Sequence, residues 1–352
     1  MAINQFVKLW KHRYIKYLHI LKAYLLGYVA AIKFFSLKRF KLRDRTLIAI
    51  IRTEHFGDIV AAEPISRLVK AQYPNSYIVW FVKDRFKELV VSNPQIDAVY
   101  SEFCVTERSV IINSKVFDKV FELQFRNNNE CAKCQVFREN PIAVERNIHV
   151  GNYFEYGNLL EVFAQCGGLL QRGEQFPVNG EPQLLIQPSH FEKIAALNLP
   201  LDFIVIHCQS NYAPKDWPAE KWEKYVTWLL NTYDYPILEI GLGSNLKINS
   251  DRFHNLTGKL SLMETAALIS KSKLFIGLDS GPSHMANAAG IPSIILMGAL
   301  NNFLTYNPYS GKFLKEDFAV LVRQNGLACR ELPVDFVIQK TRKFMDYHLL
   351  IS

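Results

Sequence analysis

Internal repeats and low-complexity tracts are missing from this chain of 352 residues. Within residues 5–35, the longest stretch without a charged residue or histidine, residues 23–32, has ten residues, whereas a transmembrane helix needs roughly twenty apolar residues. This N-terminal segment therefore does not favour a membrane-spanning helix, although one with snorkelling lysines is an alternative. Hydrophobic residues make up 49% of the chain and charged residues 21%. This composition indicates a globular protein, and the length predicts two domains.

Cysteine is scarce as well, with six residues scattered along the chain. Because the sequence shows no secretory signal peptide, we expect reduced thiols in the cytosol. Cys131 and Cys134 form a single Cys-x-x-Cys pair, which is half of a zinc site. Nothing nearby in the sequence supplies a matching second pair. We therefore interpret this segment as a loop with two thiols and expect no metal, with metal binding as the alternative.

Acidic residues are almost absent from residues 1–45, which hold eleven Lys and Arg residues and one Asp. Since the net charge of the whole chain is +8, the remaining residues are nearly neutral in sum. This distribution argues against a nucleic-acid-binding surface and indicates a local basic attachment segment.

Residues 5–35 are predicted to form an amphipathic helix, because basic and apolar side chains separate onto two faces at about 100° per residue. The basic face holds Lys8, Lys11, His12, Lys16, His19, Lys22 and Lys33, and the apolar face holds Leu9, Trp10, Tyr17, Ile20, Leu21, Tyr24, Leu25 and Tyr28. Such a helix suits an anionic membrane surface, and we expect residues 1–40 to bind there. Packing on the protein's own body or on a partner subunit is the alternative.

Apolar runs of strand length alternate with helical patterns through the rest of the chain, which is typical of an α/β fold with doubly wound parallel sheets. Gly and Pro residues interrupt this alternation near the middle of the chain and indicate a linker. We expect an N-terminal extension at 1–45, a first Rossmann-like domain at 46–175, the linker at 176–200, a second Rossmann-like domain at 201–330 and a C-terminal helix at 331–352.

Residues 276–292 are predicted to form a buried strand, a tight turn and the start of a helix. Asp279 or Ser280 is suited to cap that helix, Gly281 allows close approach of a ligand, and Pro282 suits the first turn. The free N–H groups and the helix dipole attract anions, so a phosphate or diphosphate fits there. An ordinary strand-to-helix connection is the alternative.

Polar residues follow three predicted strands, at the positions where doubly wound sheets bind ligands. They are Asp58, Lys215 within residues 209–217, and residues 279–284. Taken alone, Asp58 is typical of a helix cap and Lys215 of a surface charge. A G-x-G-x-x-G motif after the first strand is missing, which argues against an NAD-dependent dehydrogenase.

Five motifs in this order resemble glycosyltransferase family 9, the lipopolysaccharide heptosyltransferases, over roughly residues 46–347. The motifs are Phe56-Gly57-Asp58 with Pro64, Lys215-Asp216-Trp217-Pro218 with Trp222, Asn255-Leu256-Thr257-Gly258-Lys259 with Ser261-Leu262, Asp279-Ser280-Gly281-Pro282-Ser283-His284 with Ala286, and Asn307-Pro308-Tyr309. The resemblance implies a GT-B fold, in which two Rossmann-like domains face each other across a cleft. It also implies inverting, metal-independent transfer of a sugar from a nucleotide diphosphate donor.

The resemblance further implies ADP-heptose as the default donor, a lipid-linked core oligosaccharide as the acceptor, and a peripheral location on the cytoplasmic face of the bacterial inner membrane. A missing Asp-x-Asp metal motif near the predicted cleft agrees with metal independence. Residues 241–245 lack the acidic residue that family members usually place near the donor ribose. The alternatives are another donor sugar or glycan acceptor, and a non-catalytic, membrane-associated nucleotide-sugar binder.

Individual roles are carried over from the same motifs. Asp58 corresponds to the general base on the acceptor hydroxyl, and Lys215 to the cation on the donor phosphates. The implied donor-binding residues are Thr257, Gly258, Asp279, Ser280, Gly281, Pro282, Ser283 and His284, and the acceptor-side candidates are His55 and Arg126.

Overall fold

The computed structural model describes residues 2–126 and 130–351, except for the side chains of residues 2–9, 12, 130 and 351. The chain divides into two compact units. Unit 1 comprises Met1–Glu54, Ile65–Tyr156 and Glu161–Pro177, and unit 2 comprises His55–Pro64, Gly157–Leu160 and Val178–Ser352. Asp58 was expected in the first domain, but its segment groups with unit 2.

The helices and strands alternate along most of the chain. The α-helices are α1 (Ala2–Phe40), α2 (Phe56–Ala61), α3 (Pro64–Gln72), α4 (Val105–Asn113), α5 (Pro141–Glu145), α6 (Leu159–Cys166), α7 (Pro188–Ala195), α8 (Ala219–Thr232), α9 (Leu262–Ile269), α10 (Gly281–Ala289) and α11 (Val334–Asp346). The strands are β1 (Thr46–Ile51), β2 (Ser76–Val82), β3 (Ala98–Ser101), β4 (Lys119–Glu122), β5 (Glu130–Cys131), β6 (Val136–Phe137), β7 (Ile204–His207), β8 (Ile237–Ile240), β9 (Phe253–Asn255), β10 (Leu274–Leu278), β11 (Ser293–Leu296) and β12 (Ala319–Val322).

A four-stranded parallel sheet with the order β3-β2-β1-β4 forms the centre of unit 1. The two central strands, β1 and β2, are mostly apolar because a central strand of a parallel sheet is covered on both faces. Leu47, Ala49 and Ile51 of β1 pack with Val79 and Phe81 of β2 in one buried cluster. The strand order reverses between β1 and β4, so the carboxyl ends of these two strands meet at one edge of the sheet.

Small residues allow α1 to lie close against α4 in unit 1. A Cβ atom added to Gly27 would lie 2.7 Å from the Cβ of Val110. Ala23 and Ala30 are buried, and Phe34 lies beside Phe117 with ring centroids 4.9 Å apart. The predicted N-terminal helix is confirmed, and one face of it packs on the protein's own body. The side chains of Lys8, Leu9 and His12 lie outside the described residues.

The opposite face of α1 is apolar and exposed. Its large side chains, each between 45% and 66% exposed, include Tyr14, Tyr17, Leu21, Tyr24, Leu25, Tyr28, Ile32 and Phe35. Among the described residues, only the part of α1 from Arg13 to Phe40 is long and apolar enough to cross a membrane, judged by length and composition alone. His19, expected on the basic face that binds an anionic membrane surface, turns towards the body of unit 1, and its Nε2 lies 3.5 Å from Sγ of Cys131.

Unit 2 is built on a six-stranded parallel sheet with the order β12-β11-β10-β7-β8-β9. Helix α8 covers it with Trp222 and Tyr225, which are fully buried. Trp217, just before that helix, packs edge-on against Trp222 with ring centroids 5.1 Å apart. The chain runs from β7 outward to β9, then crosses back to β10 on the other side of β7. The strand order therefore reverses between β7 and β10.

Three features differ from the pattern predicted from the sequence. The residues after β1 predict one helix at 59–71, but the structure has two helices, α2 and α3, the second of which begins at Pro64, because proline has no N–H to donate inside a helix. The predicted linker at 176–200 contains α7, whose Lys193 pairs with Glu264 at 2.8 Å. Strands β9 and β12 were not predicted. Strand β9 has only three residues, two of them polar, whereas β12 is an apolar run as long as β7 and β11.

Replacing Gly27 by Val is expected to lower the free energy of unfolding of unit 1 by about 1–3 kcal/mol, because the added carbons overlap Val110. Leu25→Val is the matched control on the exposed face of the same helix, where Leu25 is 63% exposed. Its effect should stay within about 0.5 kcal/mol. Urea unfolding followed by far-UV circular dichroism measures both values, and equal stability of the two variants would contradict the packing of α1 on α4.

Candidate active site

The carboxyl ends of β7 and β10 meet where the strand order of unit 2 reverses. Open parallel sheets bind ligands in the crevice at such a point. Lys215 follows β7, and Asp279 and Ser280 follow β10. The fold thus brings together groups that the sequence assigned to one donor site.

Asp279 organises the polar contacts at this edge, although its side chain is buried. Its Oδ2 accepts hydrogen bonds from Nζ of Lys215 at 2.6 Å and from the hydroxyl of Tyr306 at 2.7 Å. Its Oδ1 accepts a hydrogen bond from the hydroxyl of Tyr309 at 3.3 Å. Burial opposes ionisation of Asp279, but the charge of Lys215 and these hydrogen bonds outweigh it and hold its pKa below the usual value. Asp279 is therefore an ionised, buried anchor.

Lys215 is held in place by this carboxylate and still reaches solvent, since 26% of its side chain is exposed. Its Nζ also donates to the backbone carbonyl of Asp279 at 3.4 Å. Because an ammonium group has three donors, one remains for an anionic ligand. The geometry suits an ammonium that meets a phosphate at the edge of the sheet.

Ser280 occupies the N-cap of α10, but its side chain makes no capping hydrogen bond. Its hydroxyl donates to the carbonyl of Leu278 at 3.2 Å and lies 3.1 Å from Nδ1 of His207. The expected capping by Ser280 is therefore wrong. The first-turn N–H groups of α10 are left without that cap, and together with the helix dipole they favour an anion in front of the helix.

Two glycines bring α2 and α10 into contact. A Cβ atom added to Gly281 would lie 2.0 Å from two ring carbons of Phe56, and one added to Gly57 would lie 2.9 Å from the Cα of Gly281. The Phe56 ring occupies the space beside Gly281 that was predicted to admit a ligand. This packing explains why residue 281 is a glycine.

This contact places Asp58, in the first turn of α2, close to His284 in α10. Burial lowers the pKa of His284, and the charges of Asp279 and Asp58 oppose that shift only in part. The neutral imidazole lies against the ring of Tyr309, with centroids 4.8 Å apart. Asp58 itself is half-buried, and His55 is exposed at the N-cap of α2.

Thr257 and Gly258 follow β9 and belong to a pair of joined loops. The backbone N–H of Gly258, which has a positive φ of 69°, donates to the carbonyl of Gly241 at 2.8 Å. The hydroxyl of Thr257 donates to Oδ1 of Asn255 at 2.7 Å. These bonds fix the loops at the carboxyl ends of β8 and β9, where their contact with a nucleotide stays a prediction.

Three polar residues near these strand ends were not predicted from the sequence. His207 ends β7 and lies beside Ser280, and Tyr306 bonds Asp279 just before the Asn307-Pro308-Tyr309 motif. Glu239 in β8 is buried, and its Oε2 makes no hydrogen bond with the residues that the structure describes. Burial raises the pKa of Glu239, against a hydrogen bond from Ser244. A charged or imidazole side chain inside an apolar strand run is the signal that could have identified His207 and Glu239.

Arg126 lies in unit 1, where it is exposed just after β4. At the same edge Arg52 donates to Gln124 at 2.9 Å, and Gln124 donates to the hydroxyl of Thr53 at 3.0 Å. Thr53 and Gln124 line a cavity of about 400 Å³. This cavity lies at the carboxyl ends of β1 and β4, where the strand order of unit 1 reverses.

The structure overturns the reason for expecting no metal at Cys131 and Cys134. His19 and Cys104 join them, and one ligand atom from each of the four side chains lies within 4.8 Å of the others. His19 and Cys104 supply the second pair of ligands. They were not found because His19 lies 112 residues before Cys131 in the sequence. Among the residues that the structure describes, these four side chains form a group that can hold a metal ion.

Comparisons with known proteins agree on one family. The model of glycosyltransferase family 9 (heptosyltransferase) matches residues 175–314. Lipopolysaccharide heptosyltransferase 1 of Campylobacter coli is 25% identical over 303 residues, which cover 73% of this chain and 85% of that protein.

Two solved structures are similar in fold. The glycosyl transferase family 9 structure from Veillonella parvula DSM 2008 has a TM-score of 0.64 and 18% identity, over 87% of this chain and 98% of that chain. The E. coli ADP-heptose lps heptosyltransferase II has a TM-score of 0.60 and 15% identity, over 85% of this chain and 98% of that chain. The predicted α/β GT-B fold with two Rossmann-like units is confirmed, whereas the roles of the individual site residues stay predictions.

The stability of unit 2 is expected to fall in acid because of His207. Burial lowers the pKa of His207 from the ordinary 6.5 to about 4. Between these values the unfolded chain binds a proton that the folded chain does not. The contribution of His207 to the free energy of unfolding is therefore greatest above pH 6.5. It falls by up to about 3 kcal/mol as the pH falls towards 4.

Urea unfolding between pH 4.5 and 7.5 measures this dependence. His207→Gln should reduce the slope over this range, and the buried His284, whose pKa is also lowered, should account for part of the slope that remains. His254→Gln, a change at a half-buried histidine of β9, should leave the slope as in the wild type. If His207→Gln leaves the slope unchanged, His207 does not cause the loss of stability in acid.

Proposed function

Because the chain belongs to glycosyltransferase family 9 and is therefore a glycosyltransferase, we propose that it transfers heptose from ADP-heptose to a lipopolysaccharide core acceptor. The relatives' names support the donor and the product class, since they describe heptosyltransferases of lipopolysaccharide and one that uses ADP-heptose. The transfer inverts the configuration at the anomeric carbon.

This proposal rests on one observation. Lys215, Asp279 and the N-terminus of α10 lie together at the edge of the sheet, between β7 and β10, where the strand order reverses. Asp279 fixes the ammonium of Lys215 at 2.6 Å, and α10 begins directly after Ser280. An ammonium beside free helix N–H groups matches the charge of a diphosphate. The donor diphosphate is proposed to bind there.

Asp58 is proposed as the general base. It lies in unit 2 on α2, which packs against α10 through Gly57 and Gly281. Its carboxylate removes the proton of the acceptor hydroxyl while that oxygen bonds to the anomeric carbon. The bond from that carbon to the diphosphate oxygen breaks, and its electron pair leaves with ADP. Lys215 and the N–H groups of α10 stabilise the charge that develops on the leaving diphosphate.

These same positive groups are proposed to make a divalent cation unnecessary at the donor diphosphate. Lys215 and the α10 N-terminus supply the positive charge that a metal ion would otherwise provide. Ser244 lies within the 241–245 loop and Glu239 lies just before it in β8, and both are proposed as polar groups near the nucleoside, because this loop has no acidic residue.

Helix α1 is proposed to lie in the surface of an anionic membrane on the cytoplasmic side. Its docked face, which runs from the Lys16–Gln135 hydrogen bond to the Lys38–Asp118 ion pair, keeps the helix along unit 1. Its outward face offers tyrosines and aliphatic side chains, which suit the boundary between headgroups and acyl chains. Lys38, Arg39 and Arg43 line a hollow of about 560 Å³ that fits an anionic headgroup.

Asp58→Asn is expected to lower the rate of sugar transfer by about 10²–10⁴-fold, because the amide cannot take the proton of the acceptor hydroxyl. ADP binding should stay within about threefold of the wild type, since Asp58 is assigned to the acceptor step. Transfer is followed by mass spectrometry of a soluble core acceptor, and binding by calorimetry.

Lys215→Met serves as the contrasting variant, because it removes the ammonium from the diphosphate site and keeps the side-chain length. It should weaken ADP binding, whereas Asp58→Asn should not. Undiminished transfer by Asp58→Asn would eliminate Asp58 as the base. If the wild-type protein binds ADP but forms no glycosidic product with any nucleotide sugar, it is a binding protein and the proposed transfer is wrong.

Membrane binding is expected to depend on the outward face of α1. Leu21→Glu with Leu25→Glu should reduce cosedimentation with phosphatidylglycerol vesicles at least about fivefold, because two charges replace side chains that enter the acyl boundary. The matched control is Leu201→Glu with Leu242→Glu, at two leucines of unit 2 that are 94% and 96% exposed.

Substitution is a sharper test than deletion of residues 1–40, because deletion also removes Ala30 and Phe34 from the core of unit 1. The control pair should bind vesicles as the wild type does. Equal vesicle binding by the Leu21/Leu25 variant would overturn the membrane assignment.

A further inference from the structure

Three thiols and one imidazole converge in unit 1 from three separate parts of the chain. His19 lies in α1, Cys104 at the N-cap of α4, and Cys131 and Cys134 at the turn between β5 and β6. One ligand atom from each lies within 4.8 Å of the other three, and Sγ of Cys131 lies 3.5 Å from Nε2 of His19. None of these side chains takes part in the proposed sugar transfer.

The separations are close to those of metal ligands. A tetrahedral zinc ion with Zn–S bonds of about 2.3 Å and a Zn–N bond of about 2.1 Å holds sulfur and nitrogen about 3.6 Å apart and two sulfurs about 3.8 Å apart. The distance of 3.5 Å between Cys131 and His19 already matches, and the largest separation needs a movement of about 1 Å.

Hydrogen-bond donors surround two of the sulfurs. The hydroxyl of Thr106 lies 3.1 Å from Sγ of Cys134, and the backbone N–H of Val136 also donates to that sulfur. Cys104 accepts from the N–H groups of Thr106 and Glu107 in the first turn of α4. Donors of this kind stabilise thiolates and orient them as metal ligands.

The surrounding charge also suits a thiolate-rich site. Three thiolates and one divalent ion carry a net charge of about −1. Lys22, Lys83 and Lys133 all act electrostatically on His19, so positive charge lies close to the cluster. Lys22 is held there over the ring of Phe103, with Nζ 4.9 Å from the centroid.

We propose that His19, Cys104, Cys131 and Cys134 bind one Zn²⁺ ion as a closed, four-ligand structural site. Three thiolates with one imidazole in tetrahedral array are a ligand set that zinc prefers, and four protein ligands leave no open position for catalysis. Binding releases protons from the three thiols into solvent.

The ion joins parts of unit 1 that are otherwise held by packing. It links α1 to the start of α4 and to the β5–β6 turn. His19, Cys104 and Cys131 also line the cavity of about 400 Å³ that Thr53 and Gln124 border. Zinc therefore fixes both the position of α1 and one wall of that cavity.

Elemental analysis of the full-length protein is the direct test. The protein is purified under reducing conditions without a metal-affinity column and is expected to contain about one zinc per chain. After removal of the metal, Co²⁺ should give the visible bands of tetrahedral cobalt and the near-UV bands of thiolate ligation. The cobalt spectrum of the wild-type protein gives a result even where a variant fails to fold.

Cys131→Ser with Cys134→Ser should lower the zinc content to below about one tenth of the wild-type value. Cys166→Ser, at a buried thiol of unit 1 outside the cluster, is the matched control and should retain zinc. His19→Asn should shift the cobalt spectrum, because it removes the single nitrogen ligand. Zinc removal should also speed proteolytic cleavage between α1 and β1.

Several results would overturn the proposal. They are a wild-type protein that takes up neither zinc nor cobalt when reduced, a disulfide between Cys131 and Cys134 in the reduced preparation, and equal zinc content in the double variant and the wild type. Stoichiometric iron in place of zinc would refute the choice of ion. None of these measurements depends on sugar transfer, so the proposed activity is judged separately.

Discussion

A buried carboxylate holds the polar edge of unit 2 together. Asp279 binds Lys215, Tyr306 and Tyr309, which lie 64, 27 and 30 residues away in the sequence. Burying a charge is costly, and such a pair contributes more to position than to stability. Loss of Asp279 would leave the Lys215 ammonium without its partner and separate the two segments that frame the start of α10. The proposed anion site at this edge therefore depends on one residue that a ligand need not touch.

Close backbone packing sets the position of Asp58, the proposed base. Phe56 fills the space beside Gly281, and Gly57 allows α2 to approach α10. Asp58 is then placed by its two predecessors, close enough to His284 for their charges to interact. In the Phe56-Gly57-Asp58 motif, two residues provide shape and the third carries the proposed chemistry, and Gly281 of a later motif makes room for Phe56.

Features that depend on short stretches of sequence could be predicted. Apolar runs of strand length identified β1, β7 and β10, and the polar residues after them identified Asp58, Lys215 and Asp279 as site candidates. Contacts between residues that lie far apart in the sequence could not be predicted. Tyr306 had no motif of its own. The partners of Cys131 and Cys134 were not predicted, because His19 was assigned to the basic face of an amphipathic helix. Gly281 was predicted to admit a ligand but admits the Phe56 ring, and the sequence could not distinguish the two because ligand approach and helix packing require the same missing side chain.

The contacts of α1 also bear on the order in which the protein is made. Lys16 bonds Gln135 and Lys38 bonds Asp118, so the partners of this helix lie 119 and 80 residues later in the chain. At ribosomal speeds of about 5–20 residues per second, roughly 5–20 s pass before those partners exist. During that interval both apolar faces of α1 have no protein surface to cover them. The nascent helix therefore exposes its apolar side chains until the rest of its own domain has been made.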